Sequence, residues 1–305
     1  MLGFLVKRVS QSLMTVFGVV TAAFFLVRLA GDPALLLLSA EATQSDMEAI
    51  RKAMGLDRPL IVQYFDFIVN ALQGDFGVST RQNVSAMSLV VERIPATLEL
   101  ALTSFAIGII LALVLGTIMR MSRAAWLREG IMWLALGRQA IPVFSFGLLM
   151  ILIFSVWLGW LPSLGRGTWQ HLVLPALTLG SYELALYLRL FNASLATEQR
   201  QDYVRTAYAK GQGRIQVIFG HMLPNALLPI VTIAGINLGL LLGGAVVTET
   251  VFSWPGVGRL IVQSVSQRDF PVIIAGVFLL SLIFVAINLV VDLLYGILDP
   301  RVRLA

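Results

Sequence analysis

Six apolar blocks, near residues 9–27, 98–119, 142–158, 172–188, 227–247 and 272–293, each approach the roughly 20 residues that carry an α-helix across a bilayer. In hydrocarbon every backbone N–H and C=O must be paired within its own segment, so such blocks become helices. The expected fold class is all-α, a polytopic membrane protein with six transmembrane helices. The third and fourth blocks are short and are interrupted by Pro142 and Pro175. Composition removes the soluble alternative, since 58% of residues are hydrophobic and 13% charged, against about a quarter charged in soluble domains. The first block follows Lys7 and Arg8 as a signal peptide would. It outruns a hydrophobic core of roughly 7–15 residues and lacks a small-x-small cleavage site, so residues 1–30 are read as a retained first helix.

Lys and Arg residues gather on the cytoplasmic ends of membrane helices, and here they set the orientation. A cytoplasmic N-terminus collects Lys7, Arg8, Arg120, Arg123, Arg128 and Arg138, then Arg189 to Arg214, then Arg301 and Arg303 on one side; only Arg166, Arg259 and Arg268 fall in the short outer loops. Both termini are therefore expected in the cytoplasm. Trp157, Trp160 and Trp169 mark the outer interface between helices three and four. If Pro142 opens the third span, residues 126–139 form an interfacial helix from which Arg138 snorkels to water.

Two pieces lie outside the blocks. The outer loop, residues 31–94, is too short to bury much core. It is expected to hold two short surface helices, one opened by a Ser45-x-x-Glu48 capping box and ending near Gly55, the other over residues 60–72 after Pro59. Residues 95–300 hold helices two to six, and 301–305 form a tail. Between helices four and five, residues 191–223 read as helix, Gly211-Gln-Gly213 break, helix. That shape suits a knob projecting from the membrane, and equally a solvated connection.

Several chemistries are excluded. There is no cysteine, which removes disulfides and thiolate metal sites. The two histidines, His171 and His221, fall on opposite sides of a core roughly 30 Å thick, so they share neither a metal nor a protease site. Gly211-x-Gly213 lacks the spacing and lysine of a phosphate loop, so this chain is not expected to hydrolyse ATP. The scattered basic residues point to topology rather than to nucleic acid. Ionisable residues at membrane depth are functional candidates. Glu183 and Asp292 are the two candidates for a translocation path, whereas Glu99 and Glu249, near helix ends, are expected to be hydrated. An ion-coupled secondary transporter using such carboxylates is the rival reading, although the two halves show no repeat.

Asp202-Tyr-Val-Arg-Thr-Ala-Tyr-Ala-Lys-Gly211, followed after nine residues by His221-Met-Leu223-Pro224, resembles the EAA loop of ABC importer permeases. Ala207, Gly211, Leu223 and Pro224 match that pattern, while Arg205, Thr206 and His221 stand at its Glu, first Ala and Ile positions. The wording is similar to the dipeptide, oligopeptide and nickel branch. So are Gly31-Asp-Pro-Ala34, Gly74-Asp-Phe-Gly-Val-Ser79, Glu249-Thr-Val-Phe-Ser-Trp-Pro-Gly-Val-Gly258 and Asp299-Pro-Arg-Val-Arg303.

The resemblance implies a bacterial inner-membrane subunit paired with a second permease and two ATPases, which bind the ATP and Mg; this chain itself holds no cofactor and no metal. It also implies an external solute-binding protein. Asp202, Arg205, Thr206, Ala207, Gly211, Leu223 and Pro224 would couple the hairpin to an ATPase. The outer loop and the 254–256 turn would receive the binding protein, with Asp75, Phe76, Trp254, Pro255 and Gly256 as docking candidates. Peptides, glutathione-like tripeptides, nickel chelates and small glycosides are the implied range of solutes. The long loop after helix one fits the first-named permease of such pairs.

Overall fold

A computed structural model describes residues 2–29, 43–53 and 55–298. The Gly31–Ala34 and Asp299–Arg303 motifs and the 301–305 tail lie outside the described residues. So does the side chain of Asp292, whose backbone is helical.

In chain order the helices are α1 (Leu2–Leu29), α2 (Gln44–Ala53), α3 (Leu60–Leu72), α4 (Ala86–Met121), α5 (Ala125–Ala140) and α6 (Val143–Met150), which continues as a π-helical stretch, Ile151–Trp157. There follow α7 (Trp169–Gly180), α8 (Leu184–Glu198), α9 (Asp202–Ala209) and α10 (Arg214–Val217), continued by π-helical Ile218–Met222. The last are α11 (Leu223–Val251), α12 (Val257–Gln267) and α13 (Phe270–Leu298). Among the described residues the only β pairing is one isolated bridge, Val78 to Ser85.

α1, α4, α11 and α13 are each long and apolar enough to cross a membrane. Two bent pairs, α5 with α6 and α7 with α8, bring the number to six when each is counted as one broken span. The first bends by 109° and the second by 62°. Pro142 causes the first bend: it drives Ile141 into extended backbone (φ −84°, ψ 126°) and opens α6. The second is a correction in position, because the fourth block is expected to be interrupted at Pro175, which lies within α7. Instead α7 stops at Gly180, a tight turn carries Ser181 to Glu183, and α8 restarts at Leu184 and runs on to Glu198, absorbing part of the expected inner loop. α4 likewise begins at Ala86, inside the expected outer loop. α2 starts at Gln44, one residue before Ser45, so Ser45 sits within the helix rather than capping it.

The chain divides into two compact units, Met1–Thr97 with Pro255–Ala286, and Leu98–Trp254 with Ile287–Ala305. In the first, Ala71, Phe76, Val90, Val257, Leu260 and Val272 form the core. Phe24 of α1 stacks on Phe67 of α3 at 5.0 Å between ring centres, and Thr21 shares a 2.8 Å hydrogen bond with the Tyr64 hydroxyl. The Val257 N–H, left unpaired at the start of α12, donates to Thr97 Oγ1 at 2.8 Å. Asp269, almost fully buried, accepts from Ser79 Oγ at 2.5 Å and from the Thr80 N–H at 3.1 Å, fastening the 74–85 loop to the α12–α13 turn.

In the second unit α4 and α7 meet backbone to backbone. A Cβ added at Gly108 would stand 2.6 Å from the Gly180 carbonyl oxygen, and one at Gly180 would collide with Ser104 O. Only glycine allows that approach. One core joins Ala112 and Met119 of α4 to Ile131, Ala135, Ala185, Leu188 and Ala234. The other lies under the α9–α10 hairpin.

Candidate functional site

The hairpin between α8 and α11 is built from its glycine outward. α9 ends in a turn where the Gly211 N–H donates to Tyr208 O (2.9 Å) and the Gln212 N–H to Ala207 O (3.2 Å), with Gly211 at φ +78°. These two bonds form a Schellman stop, which needs a left-handed residue after the helix end; glycine takes that conformation without Cβ strain.

The inward side of the hairpin is apolar and close-packed. Val204 and Ala207 of α9 and Val217, Ile218 and Met222 beyond it bury against Phe191 and Leu195 of α8 and Ala226 and Ile230 of α11. Polar ties add to this packing. His221 Nε2 bonds Gln212 Oε1 at 2.8 Å, Arg214 donates to Arg120 O at 2.6 Å, and the Tyr203 hydroxyl donates to the Glu198 carboxylate while accepting from Asn225 Nδ2 at 3.2 Å. Burial first, and then the hydrogen bond to Glu198, push the Tyr203 phenol above its usual pKa.

The hairpin's other side faces out. Asp202, Arg205, Thr206 and Gly211 are exposed, with Tyr208, Ile215 and Phe219 among the exposed large side chains. Arg205 approaches Asp202 at 3.7 Å, an open pair worth little. The Thr206 hydroxyl turns back to Asp202 O at 2.9 Å. Leu223 is half-buried beside the hairpin core, and Pro224 lies exposed where the π-helical stretch passes into α11. Of the seven residues picked from the motif, Ala207 alone is core, and its small side chain sets how close α9 lies to α8. The buried anchors Phe191, Leu195 and Met222 went unremarked in the sequence, where their only signal is apolar spacing at the helical period.

A second group gathers at the break between α7 and α8. Arg138 does not snorkel to water; it is 6% exposed. Its Nε donates to Ser181 Oγ at 2.8 Å, one terminal nitrogen to Ile141 O at 3.1 Å and the other to Thr178 O. The guanidinium lies 3.9 Å from the Phe146 ring centre and 5.8 Å from that of Tyr182. One side chain thus holds carbonyls freed at both helix breaks, which makes burial cheaper for the cation than stretching to water. Glu183 stands at the start of α8 but makes no cap bond there; its Oε2 accepts from Asn237 Nδ2 of α11 at 3.3 Å.

Two further expectations change. Glu99 is partly exposed and ion-paired with Arg166 at 2.6 Å, whereas Glu249, expected to be hydrated, is fully buried. Of the docking residues, Asp75 is exposed and Pro255 half-buried, but Phe76, Trp254 and Gly256 are buried. Phe76 fills a core. Trp254 sits under Arg166, 5.7 Å from its ring centre, at a Schellman stop in which the Trp254 N–H donates to Glu249 O at 2.8 Å. These three shape the turns from beneath and offer no surface.

Comparison with known proteins places the chain. Residues 105–304 match the binding-protein-dependent transport system inner membrane component family, and residues 1–101 match its N-terminal companion. The glutathione transport system permease protein GsiC of Escherichia coli (strain K12) is 42% identical over 304 residues, covering 99% of each chain; that of Shigella dysenteriae serotype 1 (strain Sd197) gives the same figures. The fold resembles inward-facing structures of the MetNI methionine ABC transporter, with a TM-score of 0.59 at 21% identity over 70% of this chain and 97% of that one. It also resembles an amino acid ABC transporter solved with histidines, with a TM-score of 0.51 at 17% identity over 70% of this chain and 94% of that one. Membership implies an ATPase and a substrate-binding protein as partners. The chain belongs to the binding-protein-dependent transport system inner membrane component family and is a multi-pass permease subunit of a bacterial inner-membrane ABC importer.

Proposed function

We propose that this permease forms half of a translocation path for small peptides, glutathione-sized tripeptides included, paired with a second, related permease and driven by two ATPases that bind all the ATP and Mg. The solute preference is drawn from relatives named for glutathione transport. Both termini and the α9–α10 hairpin face the cytoplasm, and the 31–94 loop and the 254–256 turn face the binding protein, with Asp75 of the loop and Pro255 of the turn as docking residues.

The observation that carries this reading is the two-sided hairpin. It is packed on α8 and α11 by Val204, Ala207 and Met222, yet presents Asp202, Arg205, Thr206 and Tyr208 outward. An ATPase pair can bias a helix bundle only through an element that is rigid with respect to it. Glu183, and Asp292 on α13, are the path candidates.

Gentle purification of the tagged chain from its native membranes tests the proposal. Recovery of a second six-span permease with ATPases, and peptide uptake in vesicles that needs ATP inside, is the expected result. Recovery of the chain alone, with uptake abolished by dissipating the ion gradient, would replace this reading with secondary transport.

A further inference from the structure

Glu183 poses a physical problem that its helix does not solve. It lies about 20 Å along α7 and the turn from Trp169, at roughly 1.5 Å per residue, which is well inside a core about 30 Å thick. Both Glu183 and Asn237 are only half-buried in the chain. A carboxylate at that depth is too costly to leave against lipid tails, so the face it shares with Asn237 must meet water or protein.

Its partners leave part of it unused. Oε2 accepts from Asn237 Nδ2 at 3.3 Å. Among the described residues Oε1 has no donor, and no Lys, Arg or His nitrogen lies within 4 Å of the carboxylate. The nearby cation is already engaged, since Arg138 is spent on Ser181, Ile141 and Thr178. One turn along α8 the buried Tyr187 hydroxyl lies beside Asn237, close to but short of good hydrogen-bond geometry. A carboxylate and an amide, backed by the buried Tyr187 hydroxyl, therefore converge between spans four and five, all within one compact unit.

We infer that Glu183 and Asn237 form a station on the solute-facing side of spans four and five that favours solutes bearing an ammonium group. This rests on the reading of Glu183 as part of the translocation path. The free oxygen and the partly occupied amide suit the three donors of an ammonium, and an anion entering the same place would meet an unneutralised carboxylate. The permease thereby adds its own charge preference to that of the binding protein.

The native chain contains no cysteine, so single thiols report on this face directly. Leu186→Cys lies one turn from Glu183 on α8, and Ile233→Cys one turn from Asn237 on α11. The assembled transporter in membrane vesicles is treated with a cationic and an anionic methanethiosulfonate of equal size, at rest and trapped with ATP and vanadate. The unsubstituted complex supplies the background, and rates are normalised to a small free thiol. Modification of both thiols, with the cationic reagent favoured about tenfold or more, is the expected result, because charged clefts focus counter-ions to that extent. Glu183→Gln should bring the ratio to near one. Asn237→Asp, which keeps Glu183, should raise it and serves if Glu183→Gln does not assemble. Equal normalised rates would overturn the ammonium preference while leaving the path reading in place. Thiols closed to both reagents in both states would overturn both.

Discussion

Arg138 Nε and Ser181 Oγ stand 2.8 Å apart, joining the end of α5 to the turn that interrupts span four. The same guanidinium holds Ile141 O and Thr178 O, so one cation terminates two helices that belong to different spans. Arg138→Met keeps the stem and removes all three bonds. It should destabilise the permease by about 3 kcal/mol or more, since a hydrogen bond from a charged group contributes roughly 1.5–3 kcal/mol. Arg138→Lys, which cannot fork, should recover only a minor part. The thermal midpoint of the detergent-solubilised protein measures both, and equal midpoints for wild type and Arg138→Met would contradict the assignment.

Gly211 offers a way to separate shape from packing. Nothing lies within 4 Å of a Cβ placed there, so Gly211→Ala should cost only about 1–2 kcal/mol of backbone strain at φ +78°. Transport should survive at reduced rate. Gly211→Pro fixes φ near −65° and removes the N–H that bonds Tyr208 O. It should insert normally and lose at least about tenfold of ATP-driven uptake. Normal uptake by correctly inserted Gly211→Pro would refute the hairpin's role.

The Gly108–Gly180 approach predicts the opposite behaviour. Gly108→Ala places a methyl against the Gly180 carbonyl, with no flexible side chain to yield. Overpacking of that kind costs about 1–3 kcal/mol, and more where backbone must move. Gly130→Ala on α5, where a Cβ meets nothing, should instead be neutral or stabilise by up to about 1 kcal/mol through helix propensity. The yield of monodisperse protein after detergent extraction should rank Gly130→Ala at or above wild type, and Gly108→Ala well below.

Asp269 anchors the 74–85 loop through Ser79 and Thr80. Asp269→Ala strands both donors in a buried place and should cost about 2–4 kcal/mol. The effect should be local. Amides of residues 78–83 should exchange faster with deuterium while those of the α9–α10 hairpin keep their protection. Uniform loss of protection would argue that Asp269 supports the whole fold.

Much of this architecture could be read from the residues. The span count followed from block length, and the hairpin from Gly211 between two amphipathic stretches. Gly55 marks a helix end for the same reason, being left-handed at the close of α2; Gly74 closes α3 in the same conformation, a role not expected of it from the sequence. Ser253 and Arg268 close α11 and α12 in the same conformation without being glycine. Their signal was absent, because residues that rarely adopt positive φ give no local warning. The break after Gly180 is hidden by apolar character on both sides, and the burial of Arg138 is not legible because two of its three acceptors, Thr178 O and Ser181 Oγ, arise from that break. Turn-rich motifs suggest exposure for Trp254 and Phe76, yet Phe76 fills a core and Trp254 lies beneath Arg166. Sequence spacing reports which residues share a helix face, and is silent on which turns fold back over their own side chains.

The two bent spans also constrain how the protein is made. α7 has 12 residues and α8 has 15, each short of the roughly 20 needed to cross alone. A translocon releasing segments by apolarity would find neither half of span four sufficient. It would also find in α5 an Arg that a solitary helix carries into lipid at about 2.5–3.5 kcal/mol. Two of that Arg's three acceptors, Thr178 O and Ser181 Oγ, are translated some 40 residues later, and the glycine that lets α7 approach is already present on α4. Insertion of span three should therefore depend on span four, whose Thr178 and Ser181 supply two of the three hydrogen bonds that stabilise the buried Arg138.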